Sequence, residues 1–263
     1  MGAGIGWLTT LAENKALDRV FNNIAWVRPA NIYIGLLTSA PNDAGGGTEV
    51  SEVEYQRQLL NGWTIGPSGT VTNDANVQFP IVITSWGTLT HFALYTEQTG
   101  GVMIAYGEFI NAKTFGVNKQ VRIVPGGVTI VSTGTWTNTL KDLVLDWIFN
   151  NTTWVPIATY MALYTAAPTV AGGGTEVAPV QTPPYARVPF SDWTAPSNGQ
   201  ISNASDFEWT EGLVNWGIVT TLVISDAATA GNPLAWSNFL TAEAHEVNDV
   251  TRITAGNLNI ILD

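Results

Sequence analysis

The chain has 263 residues, of which 45 % are hydrophobic and only 12 % are charged. Its 21 acidic residues outnumber its 10 basic residues, which gives a net charge of −11 and argues against binding to nucleic acid, because a phosphate backbone needs clustered Lys and Arg. Cysteine is absent and no apolar run approaches about 18 residues, which excludes disulfides, thiol chemistry and a membrane-spanning helix.

The first predicted element is an amphipathic helix. Apolar residues recur at three- and four-residue steps between Leu8 and Ile24, which is typical of a helix with one buried face. We expect it to end at Asn22 and Asn23, because Asn favours helix ends, and Pro29 prevents it from resuming. The same segment lacks the basic and apolar regions of a signal peptide, so we expect a soluble protein without a cleaved export signal.

Short β-rich segments follow the helix. Residues 31–38 (NIYIGLLT) predict a strand, and the Pro41 and Gly-Gly-Gly segment after it predicts a loop, because three glycines and a proline do not fit inside a sheet. Further strands are predicted near Val71 and over residues 77–83, 88–95, 102–109, 120–124 and 127–131. A pitch of roughly ten residues is typical of an antiparallel sandwich or barrel.

The second half of the chain repeats this series. The spacing is 128 residues at Phe21/Phe149 and 130 at Tyr55/Tyr185. A second amphipathic helix is predicted over residues 140–148, ending at the Asn150-Asn151 pair, with strands over 159–165, near 201 and over 207–210, 216–225, 234–239, 250–254 and 258–262.

The duplication predicts the domain organisation. We expect a mainly β protein with two tandem antiparallel β-sandwich domains, each with an N-terminal amphipathic helix and its own core. The predicted domains are residues 1–133 and 134–263, with the boundary in the Ser/Thr/Gly/Asn-rich stretch 132–139. A feature present in only one copy is not required by the shared fold.

The titratable residues give little support to an enzyme. The two histidines, His91 and His245, each occur in only one copy, which disfavours a metal site or a catalytic histidine. Glu49 and Glu176 recur in the GGGTEV segments, and a pair of carboxylates about 5 to 10 Å apart is able to cleave a glycosidic bond. The favoured alternative is structural: Glu49 pairs with Arg57, and the second copy repeats this pair.

The glycine segments do not predict a phosphate site. GGGTEV lacks the Lys-Ser/Thr that follows the glycines of a P-loop, so we interpret its glycines as positions of positive φ and close backbone approach. We therefore expect no cofactor and no metal.

Eleven tryptophans are the remaining candidates for a binding surface. An aromatic face on a β-sandwich suits the apolar side of a sugar ring. Three pairs recur at matching positions and are predicted to lie in the core: Trp26/Trp154, Trp63/Trp193 and Trp86/Trp216. The unmatched residues Trp7, Trp136 and Trp236 are predicted to face a partner.

The repeated motif resembles a known family. The pattern LYTAAP-x-x-x-GGGTEV followed by YAR, carried by residues 164–177 and 185–187 and repeated at 37–50 and 55–57, is similar to a family of small bacteriophage virion proteins often labelled tail-fibre-like. The segment from Trp86 to Tyr95 (WGTLTHFALY) also resembles that family. Members usually have one such domain, so the doubling is a departure, and the family carries no catalytic residues to transfer.

The resemblance implies a non-enzymatic virion structural protein, assembled in the host cytoplasm. We expect an accessory subunit of the particle surface, either a head decoration (cement) protein or a subunit of a collar or tail appendage. Low charge and a surface of Thr, Asn, Ser and Gly also suit contacts with capsid, collar or tail subunits and with copies of itself. The alternatives are a carbohydrate-binding adhesin that contacts host glycans, and a glycan hydrolase with two acids in a cleft.

The two glycine segments are the candidate contact elements, because loops often carry interactions and these occur in both copies. The candidate partner-contact residues are Gly45, Gly46, Gly47, Glu49, Gly172, Gly173, Gly174 and Glu176.

Overall fold

The chain folds into two tandem, mainly β units in its computed structural model, which describes residues 4–134, 136–153, 158–177, 185–212 and 214–262. Each unit is β-sandwich-like and contributes one helix, as the sequence predicts. The first copy contains β1 (Gly4–Leu8), α1 (Thr10–Phe21), β2 (Tyr33–Leu37), β3 (Gln58–Leu59), β4 (Trp63–Gly66), β5 (Thr70–Asn73), β6 (Val77–Ile81), β7 (Gly87–Tyr95), β8 (Met103–Phe115), β9 (Gln120–Ile123) and β10 (Val128–Val131).

The second copy repeats most of these elements in the same order but has no strand equivalent to β1 or β4 among the described residues. Its elements are α2 (Asn138–Phe149), β11 (Tyr160–Ala166), β12 (Thr175–Glu176), β13 (Val188–Pro189), β14 (Gln200–Ser202), β15 (Phe207–Glu208), β16 (Gly217–Ser225), β17 (Pro233–His245), β18 (Arg252–Ile253) and β19 (Asn259–Ile261). The long predicted strands are confirmed in both copies, and β8 and β17 extend several residues beyond their predicted ends. Short strands such as β3 and β13 were not predicted, because two residues carry no periodic signal.

Both helices have the same start and end. The Thr9 hydroxyl accepts a hydrogen bond from the Ala12 N–H, and Thr137 caps α2 in the same way. Asn22 and Asn150 follow the last helical residues, as predicted, and the next residues, Asn23 and Asn151, have positive φ of 53° and 56°. Asparagine tolerates this left-handed conformation better than most residues, so the Asn-Asn pairs end the helices.

The first copy begins with a strand rather than a helix, which corrects the sequence interpretation. Leu8 is the last residue of β1, and Ile24 lies beyond α1 and is exposed. β1 pairs antiparallel with β8 and parallel with β10, so the sheet is not purely antiparallel. A Cβ at Gly6 would lie 2.1 Å from the Tyr106 carbonyl oxygen, so glycine is required for β1 to approach β8 this closely.

The main sheets of the two copies differ in extent. In the first copy, eight strands are ordered β3-β2-β7-β8-β1-β10-β5-β4, with β6 and β9 forming a separate pair. In the second copy the order is β12-β11-β16-β17, with β13 also on β11, and two separate pairs, β14–β19 and β15–β18. The residue equivalent to Leu8 is Trp136, which bridges Ala235 as Leu8 pairs with Ala105. Trp136 is fully buried, so the prediction that it faces a partner was wrong.

Each helix packs against the other copy. The Phe21 ring of α1 lies 4.8 Å from the Trp193 ring of the second copy, and the Phe149 ring of α2 lies 4.8 Å from the Trp63 ring of the first. Hydrogen bonds also connect each helix to the other copy. The Gly199 N–H donates to Asn14 Oδ1 (2.9 Å), and the Gly69 N–H donates to Asp142 Oδ1 (2.8 Å).

The two copies therefore share a core. One continuous cluster of buried apolar side chains contains residues of both copies, from Leu8 to Leu262, whereas the sequence predicted two separate cores. The exchange of helices explains the difference, because each helix completes the apolar layer of its neighbour. The predicted domain limits of 1–133 and 134–263 stay a prediction.

Replacing either exchanged ring should destabilise the whole chain. We expect Phe21→Ala and Phe149→Ala each to lower the free energy of unfolding by about 3–5 kcal/mol, because each leaves a cavity between the copies. Differential scanning calorimetry should show one shifted transition for both copies. The control Val53→Ala, at a position that is 95 % exposed, should change stability by less than about 0.5 kcal/mol. A half that still melts at the wild-type temperature would contradict the shared core.

Candidate functional site

The two predicted contact loops have the same geometry. Asn42 and Gly45 exchange two backbone hydrogen bonds (3.0 and 2.8 Å), and Thr169 and Gly172 do the same at the same distances. All six loop glycines have positive φ, as the sequence predicts; they are Gly45, Gly46, Gly47, Gly172, Gly173 and Gly174. We call residues 41–47 the first glycine loop and residues 168–174 the second.

The three glycines of each loop are needed for different reasons. At Gly46 and Gly173 a Cβ would meet nothing within 4 Å, so only the backbone conformation favours glycine. At Gly47 a Cβ would lie 2.5 Å from Leu37 Cδ2, and at Gly174 it would lie 2.8 Å from the Ala166 carbonyl oxygen. The third glycine therefore serves close packing as well.

Each glycine loop also holds the start of a helix. The Asp43 carbonyl accepts a hydrogen bond from the Thr10 N–H (3.1 Å), and the Val170 carbonyl accepts one from the Asn138 N–H (2.7 Å). The first N–H groups of a helix have no partner within the helix, so these carbonyls satisfy two of them. The repetition of the loops thus has a structural reason, and their role in partner contacts stays a prediction.

A Glu–Tyr–Arg cluster lies behind the first glycine loop. Arg57 makes a forked pair with Glu49, with Nε–Oε1 and Nη2–Oε2 distances of 2.9 and 2.8 Å. The Tyr55 hydroxyl donates to Glu49 Oε1 (2.8 Å) and accepts from the Leu36 N–H (2.8 Å). The predicted Glu49–Arg57 pair is confirmed, and the tyrosine is an additional member that pair-wise charge matching missed.

The second copy contains the same cluster. Arg187 pairs with Glu176 through Nε–Oε1 and Nη2–Oε2 distances of 2.8 and 2.7 Å. The Tyr185 hydroxyl donates to Glu176 (3.1 Å) and accepts from the Leu163 N–H (2.7 Å). Recurrence in both copies shows that the cluster belongs to the shared fold.

The arginines extend the clusters to a distant turn. Arg57 Nη1 donates to the carbonyls of Glu97 (3.1 Å) and Gly100 (2.6 Å), and Arg187 Nη1 donates to those of Ala227 and Ala230. Each cluster therefore joins the segment after a glycine loop, the strand β2 or β11, and the turn between the two longest strands of its copy.

Burial, reinforced by the glutamate charge, raises the pKa of Tyr55 and Tyr185, so both hydroxyls remain protonated donors near neutral pH. Although burial favours the neutral form of the Arg57 side chain, the hydrogen bonds from Arg57 to Glu49 raise the pKa of Arg57. Glu49 and Glu176 are thus each engaged by an arginine and a tyrosine, which gives both carboxylates a structural role.

Glu54 is a carboxylate of the first copy alone. It accepts hydrogen bonds from the Thr84 N–H (2.9 Å), the Ile83 N–H (2.8 Å) and Trp86 Nε1 (3.1 Å). These bonds, with that of Thr84 first, lower the pKa of Glu54 to about 2. The carboxylate is consequently ionised and anchors the loop before Tyr55, which is a structural role.

The histidines occupy different environments. His91 is half-buried on β7, and its Nδ1 lies 2.8 Å from the Thr90 hydroxyl. His245 is buried at the end of β17, where its ring stacks 3.8 Å from Trp216 and burial lowers its pKa. Across the described ranges, no three His, Asp or Glu side chains converge as metal ligands would. Neither described helix is long and apolar enough to cross a membrane.

The matched tryptophans lie in the core where the structure describes them. Trp63, Trp193, Trp86 and Trp216 are buried, and Trp26 is partly buried against the same cluster. Trp154 lies outside the described residues. Burial removes the four buried rings from any sugar-binding face.

One aromatic patch remains accessible in the first copy. Trp7 is 39 % exposed, and its ring lies 6.5 Å from that of Tyr106. The Tyr106 hydroxyl donates to Asp43 Oδ1 (2.6 Å) on the first glycine loop. We call Trp7, Tyr106 and Asp43 the aromatic patch. The second copy has Trp236 in place of Tyr106 and Val170 in place of Asp43, so the patch is not duplicated.

Comparison with known proteins accounts for nearly the whole chain. The model of the family described as "Podophage GP4 fiber I protein gp80" matches residues 7–131 and again residues 135–261. The chain belongs to this family. No curated protein matches it.

Family membership identifies the class of protein. A chain of the podophage fibre I family is a phage virion structural protein of the tail-fibre-like kind, which places it on the particle among other virion components. The two matches also agree with the tandem duplication that the sequence predicts.

Tyr55 and Tyr185 provide a test of the clusters. We expect Tyr55→Phe and Tyr185→Phe each to lower the free energy of unfolding by about 1–3 kcal/mol, because each leaves a buried N–H, of Leu36 or Leu163, without its acceptor. Denaturant titration followed by tryptophan fluorescence measures the change. Tyr33→Phe is the control, since the Tyr33 ring is half-buried on β2, outside the clusters. Variants as stable as the wild type would show that the tyrosines are dispensable.

Proposed function

We propose that the chain is a non-enzymatic accessory subunit of a phage fibre or similar appendage, fixed to the particle through other virion proteins. The observation that carries this proposal is the tandem match to the fibre protein family, in which the Glu–Tyr–Arg cluster shared by both copies holds the fold. Glu49, Tyr55 and Arg57, with their counterparts, satisfy one another and neighbouring backbone groups.

The family match favours an appendage over head decoration. Its description names a fibre protein, and the chain has no heptad or short repeat that would build a fibre shaft. A globular subunit at the base or tip of an appendage fits both facts. The aromatic patch and the glycine loops are the candidate surfaces for its contacts.

Cryo-electron microscopy of the native virion tests this proposal. We expect density for the two fused copies at the neck or tail, in a fixed ratio to a symmetric virion component, because an appendage subunit docks on a defined site. Mass spectrometry of purified virions supplies the copy number. Density on the capsid lattice would support head decoration instead, and absence from washed particles would overturn the structural role.

A carbohydrate-binding adhesin is the second candidate, and the aromatic patch favours it. An exposed Trp beside a Tyr and an Asp provides a ring face and polar groups of the kind that hold a sugar. If the patch binds host glycan, we expect Trp7→Ala to weaken binding at least about tenfold, equivalent to about 1.4 kcal/mol. Trp236→Ala, at the position equivalent to Tyr106, is the matched control. A glycan array with host surface polysaccharide measures the effect, and no binding by the wild type would exclude this function.

A further inference from the structure

A cavity lies between two strands of the second copy, β17 and β19. β17 and β19 lie near each other without hydrogen bonding, and no strand of the described residues lies between them. Their counterparts in the first copy, β8 and β10, are bridged by β1, which pairs with both. The second copy instead has a cavity of about 500 Å³ at this place, lined by Ser237, Asn238 and Phe239 of β17 and by Asn257 and Leu258 beside β19. We call this cavity the β17–β19 slot.

The residues of the slot match those that hold β1. In the first copy, Gly4, Ile5 and Gly6 pair with Phe109, Glu108 and Gly107 of β8. At the spacing of 130 residues, the positions that would receive an equivalent strand are Phe239, Asn238 and Ser237. These same three residues line the slot. The first copy therefore shows what kind of element the slot accommodates.

The connection between the copies explains why the slot is open. The segment equivalent to β1 follows directly from β10, and the Ser132 N–H donates to the Gly69 carbonyl (2.8 Å), which holds its start in the first copy. Trp136 then bridges Ala235, at the near end of β17. Ser132 and Trp136, on either side of this connection, thus contact Gly69 and Ala235 rather than Ser237, Asn238 or Phe239.

We propose that the β17–β19 slot accepts an extended strand from another virion protein, antiparallel to β17 and parallel to β19. Addition of a strand to an open sheet edge gives affinity through main-chain hydrogen bonds, and the lining side chains select the sequence. That the strand comes from a virion protein rests on the proposed function; the strand-accepting property does not.

The lining defines the chemistry of the incoming strand. Among the side chains that the structure describes, none that lines the slot is charged, so the inner residues of the incoming strand should be uncharged. Ser237 occupies the position of Gly107, where a Cβ would lie 2.3 Å from the Ile5 carbonyl oxygen. A strand in the slot must therefore lie at ordinary strand spacing from β17 and carry a small residue opposite Ser237. In the first copy, the Phe92 ring leaves no room for a Cβ at Gly4. Leu222 takes the place of Phe92 in the second copy, so the residue of the incoming strand that corresponds to Gly4 has room for a small apolar side chain.

Cysteine trapping tests the slot in the full chain, because the natural sequence has no cysteine. The probe is a synthetic peptide of residues 2–8 (GAGIGWL) carrying Ile5→Cys as a mixed disulfide with thionitrobenzoate. The protein carries Asn238→Cys, at the register position opposite the peptide cysteine. The matched control is Glu108→Cys, the equivalent exposed position on β8, where β1 already occupies the edge.

We expect Asn238→Cys to release thionitrobenzoate and form the peptide adduct at least about tenfold faster than Glu108→Cys. A peptide that also carries Gly6→Ile should lose this advantage, because a large side chain then faces Ser237. Equal rates for the two protein variants, or for the two peptides, would overturn the proposal.

Further outcomes distinguish the strand-accepting slot from the identity of its partner and from the proposed function. If the chain self-associates and size-exclusion chromatography shows that Ser237→Phe dissociates it, the occupant is a second copy, and the proposed partner is wrong. Selective trapping together with absence of the chain from virions would leave the strand-accepting slot intact and overturn the proposed function. Failure of trapping with the chain present in virions would do the reverse.

Discussion

The packing of each helix on the other copy is the contact on which the rest of the structure depends. A twelve-residue helix is marginal in water and needs an apolar surface against which to bury one face. Here α1 and α2 each find part of that surface on the other copy, through Phe21 on Trp193 and Phe149 on Trp63. The glycine loops then fix the helix starts, and the Glu–Tyr–Arg clusters fix the loops to the central strands. The repeated polar residues thus connect the helices, the glycine loops and the strands in each copy.

The sequence predicted most elements but not their partners. Periodicity located both helices and the long strands, the paired asparagines marked the helix ends, and the shared Glu and Arg predicted the ion pairs. Periodicity predicts that one face of a helix is buried, but it does not predict which element covers that face. The packing of each helix on the other copy therefore could not be predicted. β1 was missed because its two glycines carry no strand preference and Leu8 happens to continue the apolar phase of α1. Trp136 was misjudged for a related reason: its counterpart is Leu8, which the alignment of aromatics alone did not reveal.

The differences between the copies are more informative about function than the similarities. The shared clusters are explained by folding, whereas Trp7 with Asp43, Glu54, His245 and the open edge of β17 each occur once. The aromatic patch and the β17–β19 slot therefore rest on single-copy features, which a search for repeated motifs discards. The sequence could not rank them, because only three-dimensional contacts separate an accessible Trp7 from a buried Trp136.

Fusion of the copies also changes what dilution does to the structure. Two separate domains that exchanged helices would fall apart as their concentration dropped, since their stability would depend on the concentration of the partner. The six residues between β10 and α2 make the exchange intramolecular, so the effective concentration of each helix stays fixed. A phage particle spends its extracellular life at vanishing concentration. Because both copies belong to one polypeptide, the contacts between each helix and the other copy persist at that dilution without free subunits to replace a lost partner.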